Sequence, residues 1–330
     1  MAMGEFDLIH QYFQRPVRRA ALGIGDDCAL LQPAAGCQIA VSSDMLVQGT
    51  HFLADTDPYL LGHKALAVNL SDLAACGARP LAFTLALALP AADPSWLEPF
   101  SRGLLALADS HDCELVGGDT TRGPLNICIT VFGEVPAPGG RSQALLRSGA
   151  HAGDDIYVSG TLGDARLALE AIGGQWVLPQ ALFERAARRL HRPEPRVALG
   201  QALRGLASSA IDISDGLLGD LGHVLAASGV GARLDAGSMT GCIACHGAAL
   251  DAVVPRQHQL HCVLAGGDDY ELAFTAAPHQ RDAIFEAART CATAVSRIGT
   301  VTAEPGLQVV DGHGVAITGQ WTSFDHFNGH

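Results

Sequence analysis

The chain has 330 residues, 48% of them apolar and 17% charged, with a formal net charge of −13. That length exceeds one ordinary core and suits two packed domains of about 150 residues each, not a disordered chain. The acidic excess speaks against nucleic acid and anionic membrane as partners.

Residues 4–13 read as a short amphipathic helix, and its early acids, Glu5 and Asp7, are unlike a secretory leader. Short strands are expected at 28–31 and 38–43. Asp57-Pro58 opens a strong helix running to about Cys76, with Gly77 as left-handed cap and Pro80 as stop. An apolar strand at 81–89, a helix at 94–111 and strands at 114–116 and 126–135 follow. The run at 81–89 is about half of what a membrane helix needs.

Pro136-Ala137-Pro138-Gly139-Gly140 is the best linker candidate, and the expected domains are 1–148 and 149–330. The second half repeats the α/β alternation. It is expected to hold a strand at 156–159, helices at 165–172, 181–191 and 196–206, a strand at 209–213 and a helix at 217–227. Further strands are expected near 263–265, 272–275 and 295–299. The fold class is therefore α/β or α+β, with sheets covered by helices in both domains.

Nine cysteines, an odd number scattered through apolar stretches, fit reduced thiols in a cytoplasmic protein. Lys64 is the only lysine and no glycine precedes it, so no Walker A phosphate loop exists. Cys242-Ile243-Ala244-Cys245-His246 matches a haem-attachment pattern and supports an electron-transfer reading as the rival from another class.

The acids gather at apparent strand ends. They are Asp26-Asp27 after Gly23-Ile24-Gly25, Asp44 after Ser42-Ser43, Asp119 after Gly117-Gly118, Asp212 and Asp215 around Ile213-Ser214, and Asp268-Asp269 after Gly266-Gly267. Asp72 lies one helical turn after Asn69, on the same face. Any one such Asp is ordinarily a turn former or cap. Six sites flanked by Gly or Ser have few local counter-ions, and if they converge they need cations. Carboxylate and hydroxyl oxygens suit Mg²⁺ or Ca²⁺. Glycines beside them let backbone approach a bulky anion, so a nucleotide triphosphate held through metal ions is the expected ligand. The match of Leu115–Asp119 with Leu264–Asp268, each taken as a strand running into Gly-Gly-Asp, suggests that both halves supply carboxylates.

Six blocks together resemble the thiamine-monophosphate kinase family: Gly23-Ile24-Gly25-Asp26-Asp27, Ser43-Asp44 with His51-Phe52, Lys64 to Asp72, Gly117-Gly118-Asp119-Thr120-Thr121-Arg122-Gly123, Ile213-Ser214-Asp215-Gly216-Leu217, and Gly266-Gly267-Asp268-Asp269-Tyr270-Glu271-Leu272. Asp325-His326-Phe327 in the tail agrees. The resemblance implies a two-domain fold shared with aminoimidazole ribonucleotide synthetase, and homodimers paired through the N-terminal domain. It also implies transfer of phosphate from ATP to thiamine monophosphate. By the same resemblance, Asp27, Ser42, Ser43, Asp44, Asp72, Asp119, Asp212 and Asp215 match Mg²⁺ ligands. Gly118, Asp119, Arg147 and Ser214 match ATP contacts, and His51, Asp268 and Phe324 match substrate contacts. Asp44, Asp72, Asp119 and Arg147 are the residues expected to carry catalysis. Asp268 stands where the family usually has Glu. Lys64 is open between a phosphate contact and a structural ion pair. Another synthase of the same superfamily and a silent nucleotide-binding regulator remain alternatives.

Overall fold

A computed structural model describes residues 4–317, 319 and 321. The chain divides into two compact units. One comprises the residues up to Leu73 plus Ala78–Gln143; the other comprises Ala74–Gly77 plus the residues from Ala144 onward. No helix among the described residues is long and apolar enough to cross a membrane.

The first unit opens with α1 (Glu5–Leu8), which continues as a wider π-helical turn over Ile9–Phe13. Its sheet holds β1 (Cys37–Val47), β2 (Arg79–Leu89), β3 (Glu114–Arg122) and β4 (Asn126–Pro136) in the order β1-β4-β2-β3. Only β2 and β3 are parallel, and α3 (Pro94–Ser110) connects them, as a crossover requires. Asp57 caps α2 (Pro58–Ala75) by accepting from Leu60 N at 3.1 Å. Gly77, at φ +68°, ends it as expected. Helices α2 and α3 pack closely because glycines meet at the contact. A Cβ on Gly62 would lie 2.1 Å from the Phe100 carbonyl oxygen, and one on Gly103 would lie 1.9 Å from that of Tyr59.

Residues 28–31 form no strand. Leu30 makes one bridge to Leu22 inside a loop. Strands β1 and β3 run further than the sequence suggested, so Ser42–Asp44 and Gly117–Asp119 lie within strands and not at their ends.

The second unit has a six-stranded mixed sheet. Its strands are β5 (Asp155–Ser159), β6 (Ser209–Asp212), β7 (Gly231–Asp235), β8 (Leu272–Ala276), β9 (Val295–Thr302) and β10 (Gly306–Val310), in the order β10-β7-β9-β5-β8-β6. Helices α4 (Asp164–Ile172), α5 (Gln180–His191), α6 (Val197–Ala202), α7 (Leu217–Ser228), α8 (Ala236–Met239), α9 (Ala248–Asp251), α10 (Arg256–Ala265) and α11 (Arg281–Thr290) complete it. The expected strand at 263–265 is instead the end of α10. Leu260, Val263 and Leu264 recur at helical spacing, and all three face the core. The supposed repeat of Leu115–Asp119 at Leu264–Asp268 therefore joins a strand to a helix end.

Candidate nucleotide and metal site

In the first unit, β1 and α2 bring three predicted residues together. Strand alternation turns Ser42 and Asp44 toward α2. Ser42 Oγ donates to Asp72 Oδ2 at 2.5 Å, and Asp44 N donates to Asn69 Oδ1 at 3.1 Å. Asn69 is fixed in turn by its Nδ2, which donates to Ala65 O at 3.0 Å. Ser43 alternates to the other face, beside Thr130 Oγ at 2.9 Å and donating to Ile129 O at 3.2 Å. His51 follows in the turn after β1, where its Nδ1 accepts from Val47 N at 3.0 Å. That bond places the proton of the neutral ring on Nε2, so the ring presents a donor.

The opposite edge of the sheet carries the glycine-rich elements. Gly118 sits at φ +145°, and a Cβ there would lie 1.8 Å from the Leu85 carbonyl oxygen, so only glycine fits. Asp119 follows it, exposed on β3. A cavity of about 760 Å³ lies against this edge; Phe6, Ile9, Phe13, Asp27, Gly117 and Gly118 are among its lining residues. Asp27 and Gly118 thus line one cavity. Strand register runs Asp44, Ile129, Leu85, Gly118 across the sheet. Three strand spacings make that about 14 Å. The first unit therefore does not bring Asp44 and Asp119 to one ion.

In the second unit, Asp212 ends β6, and Ile213–Gly216 turns the chain into α7. Tyr270 N donates to Ile213 O at 2.8 Å and Asp268 N to Ser214 O at 2.9 Å. Asp268 thereby lies beside Ser214 and Asp215. Asp268 and Tyr270 adopt φ of +66° and +50° to make these bonds. Glu271 anchors the segment from below; it is fully buried and held by Ser159, Arg189 and Arg196. Arg147 is exposed, one residue after Leu146, whose carbonyl accepts from Ala210 N of β6 at 2.9 Å.

Asp220 was not anticipated. It is 5% exposed, and its Oδ2 accepts from Ser214, Asp215 and Gly216 N. Burial, outweighing those donors and aided by Asp215, pushes its carboxyl up to about 6. The available signal was its place in the first turn of a helix behind a Ser-Asp-Gly turn.

The haem-attachment pattern proves structural. Cys242 and Cys245 are packed in the core, and burial with the nearby Asp164 pushes the Cys245 thiol up to about 12. Both sulfurs are therefore withheld from haem attachment. Glu170, His258 and Cys262 form the mixed-donor group among the described residues. The Glu170 carboxylate is already filled by Arg166, Trp176 and His258. Trp321 packs on the second unit's core, and Phe324 lies outside the described residues.

The fold and these oxygen-rich turns define a class. Residues 25–135 match the N-terminal domain of AIR synthase related proteins, and residues 151–312 match their C-terminal domain. The chain belongs to that family. It is 46% identical over 333 residues to the thiamine-monophosphate kinases of Salmonella typhimurium and Escherichia coli K12, covering 99% of itself and of each relative. The crystal structure of thiamine-monophosphate kinase from Stenotrophomonas maltophilia K279a is 47% identical. It superposes with a TM-score of 0.83 over 96% of this chain and 99% of that one. A structure of AaThiL complexed with AMPPCP and TMP matches at 27% identity and a TM-score of 0.74, covering 89% of this chain and 88% of its own. Within the family, the chain belongs to the thiamine-monophosphate kinases.

Proposed function

We propose that this kinase moves the γ-phosphoryl group of ATP directly onto thiamine monophosphate, with several Mg²⁺ ions, as a cytoplasmic homodimer. The observation that carries the activity is identity of 46% along essentially the whole chain to enzymes of that name. The donor chemistry fits the metal: Asp27, Ser42, Ser43, Asp44, Asp72, Asp119, Asp212 and Asp215 offer only oxygen. Bound by these residues, Mg²⁺ would neutralise phosphate charge and help align the reacting oxygens.

The side chains divide the remaining work. The apolar wall of Phe6, Ile9 and Phe13 suits a purine base, with Gly118 and Asp119 at the same edge. Arg147 offers a planar fork to phosphate oxygens, and Ser214 a hydroxyl to the nucleotide. His51 Nε2–H is a donor for the substrate. Asp268 supplies negative charge to the cationic thiazolium, and Phe324 is assigned to the same substrate by resemblance. The acceptor is a phosphate monoester with a second pKa of about 6, so its attacking oxygen needs no strong general base. Asp44, Asp72, Asp119 and Arg147 are the residues whose loss should stop transfer.

A second copy accounts for two features of the first unit. Ile39, Val41 and Met45 of edge strand β1 are 38%, 58% and 53% exposed on one face. Moreover, the Asp44 and Asp119 edges lie about 14 Å apart in one sheet. We infer that pairing through this face sets the Asp119 edge of one protomer beside the Asp44 edge of its partner.

Product analysis with ATP, thiamine monophosphate and Mg²⁺, with and without EDTA, tests the activity. Thiamine diphosphate and ADP that vanish on chelation are expected; ATP bound without transfer sinks it. Mixing inactive D44N and D119N chains tests the pairing. Mixed dimers should regain activity, and two variants that stay dead together refute a shared site.

A further inference from the structure

The turn between β6 and α7 presents three successive backbone N–H groups, those of Ser214, Asp215 and Gly216. Such a run at a helix start is a hollow that ordinarily takes an anion, often a phosphate. Here all three donate to one oxygen, Asp220 Oδ2, at 3.1 Å each. Asp220 is 5% exposed, and its own N–H donates to Gly216 O at 3.0 Å, closing the first turn of α7 behind the loop.

The carbonyl side of the loop is also committed. Ile213 O and Ser214 O accept from Tyr270 N and Asp268 N. Gly216 has φ +122°, and a Cβ there would lie 2.9 Å from the Ala265 backbone, so glycine is what lets the turn sit this close to the end of α10. The loop's backbone polar groups are thus largely used inside the protein. The side-chain groups that the loop itself carries are the Ser214 hydroxyl and the Asp215 carboxylate.

We propose that Asp220 is a positioning residue whose carboxylate fills this anion hollow, so that the Ser214–Gly216 loop serves nucleotide and metal through its side chains and not through its amides. The consequence for the kinase rests on the proposed ligand roles of Ser214 and Asp215; the filled hollow itself does not. A phosphate that approached the amides would meet the Asp220 charge. The same contact holds Asp215 and Ser214 in fixed directions and, through Ser214 O, steadies Asp268.

The test compares D220A, D220N and the wild-type enzyme. D220A leaves three donors unfilled, two of them part-buried and that of Gly216 buried. The concentrations of Mg²⁺ and ATP giving half-maximal rate should rise roughly 10- to 100-fold, the range for loss of a residue that orients a ligand. Formate, a small carboxylate that fits the vacated hollow, should recover part of the D220A rate and leave wild type unaffected. D220N keeps one carbonyl oxygen as acceptor and should stand between the two. An unchanged Mg²⁺ and ATP dependence in D220A overturns the proposal. So does a defect that formate does not relieve and D220N shares in full. Amide hydrogen exchange gives a readout independent of turnover. Ser214, Asp215 and Gly216 should exchange slowly in wild type and fast in D220A, and equal rates also overturn it. If wild type makes no thiamine diphosphate, the kinase reading fails, and the exchange comparison still decides the role of Asp220.

Discussion

Replacing Glu271 by glutamine should unfold the second unit at a markedly lower temperature. The side chain is fully buried, and its carboxylate accepts from Ser159 Oγ and Arg189 Nη2 at 2.5 Å each, and from Arg196 Nε and Nη2 at 2.7 and 2.6 Å. The two guanidiniums are only 12% and 15% exposed. Glutamine keeps the shape but removes the buried charge shared by both guanidiniums, leaving Arg196 with the half-exposed Glu194 at 3.4 Å, and its amide nitrogen must face one of the donors. Removing one partner of a buried ion pair costs about 3–5 kcal/mol. For a unit of roughly 150–250 residues, each kcal/mol moves Tm by about 2–4 °C, so a fall of roughly 6–20 °C is expected. Differential scanning calorimetry measures it, with the first unit's transition as reference. Because Glu271 follows the Asp268–Tyr270 segment, KM for thiamine monophosphate should rise in the same variant at temperatures where it stays folded. A Tm shift below about 2 °C in every transition would refute the assignment of Glu271 as the anchor of that segment.

Three further outcomes are expected. G118A forces a Cβ to within 1.8 Å of Leu85 O at a φ closed to alanine, so β3 must shift; ATP affinity by calorimetry should fall at least about tenfold, and wild-type affinity would contradict the backbone argument. S42A removes the 2.5 Å bond to Asp72; the Mg²⁺ needed for half-maximal rate should rise with little change in Tm, whereas an unchanged Mg²⁺ requirement counts against a metal role for this pair. Burial pushes the Asp155 carboxyl up, but Arg281 and Arg297 outweigh it and leave it below the usual range. Its contribution to stability is therefore complete above about pH 5 and is lost as pH falls below about 4. R281A/R297A should move the acid-unfolding midpoint to higher pH, and an unmoved midpoint rejects this account.

The amino-acid order alone determined the chemistry and much of the local structure. Helix α2 was legible because its signals are local: Asp57-Pro58 at one end, Gly77 at the other and a long apolar run between. The oxygen-donor character of the site was legible for the same reason, since residue type does not depend on fold. Helix α10 was misread because three apolar residues in a row look like a buried strand, and only their packing against the core shows the helical period. The absence of a strand at 28–31 likewise followed from which neighbours were present to pair, which no single segment encodes. Tertiary structure alone decided that Ser42 meets Asp72 of α2, that Asp44 and Asp119 stand on opposite sheet edges, and that Asp220 occupies the amide hollow behind Ser214 and Asp215. Those facts depend on strand register and on the meeting of distant segments. Spacing along the chain leaves both undetermined until the sheet is assembled.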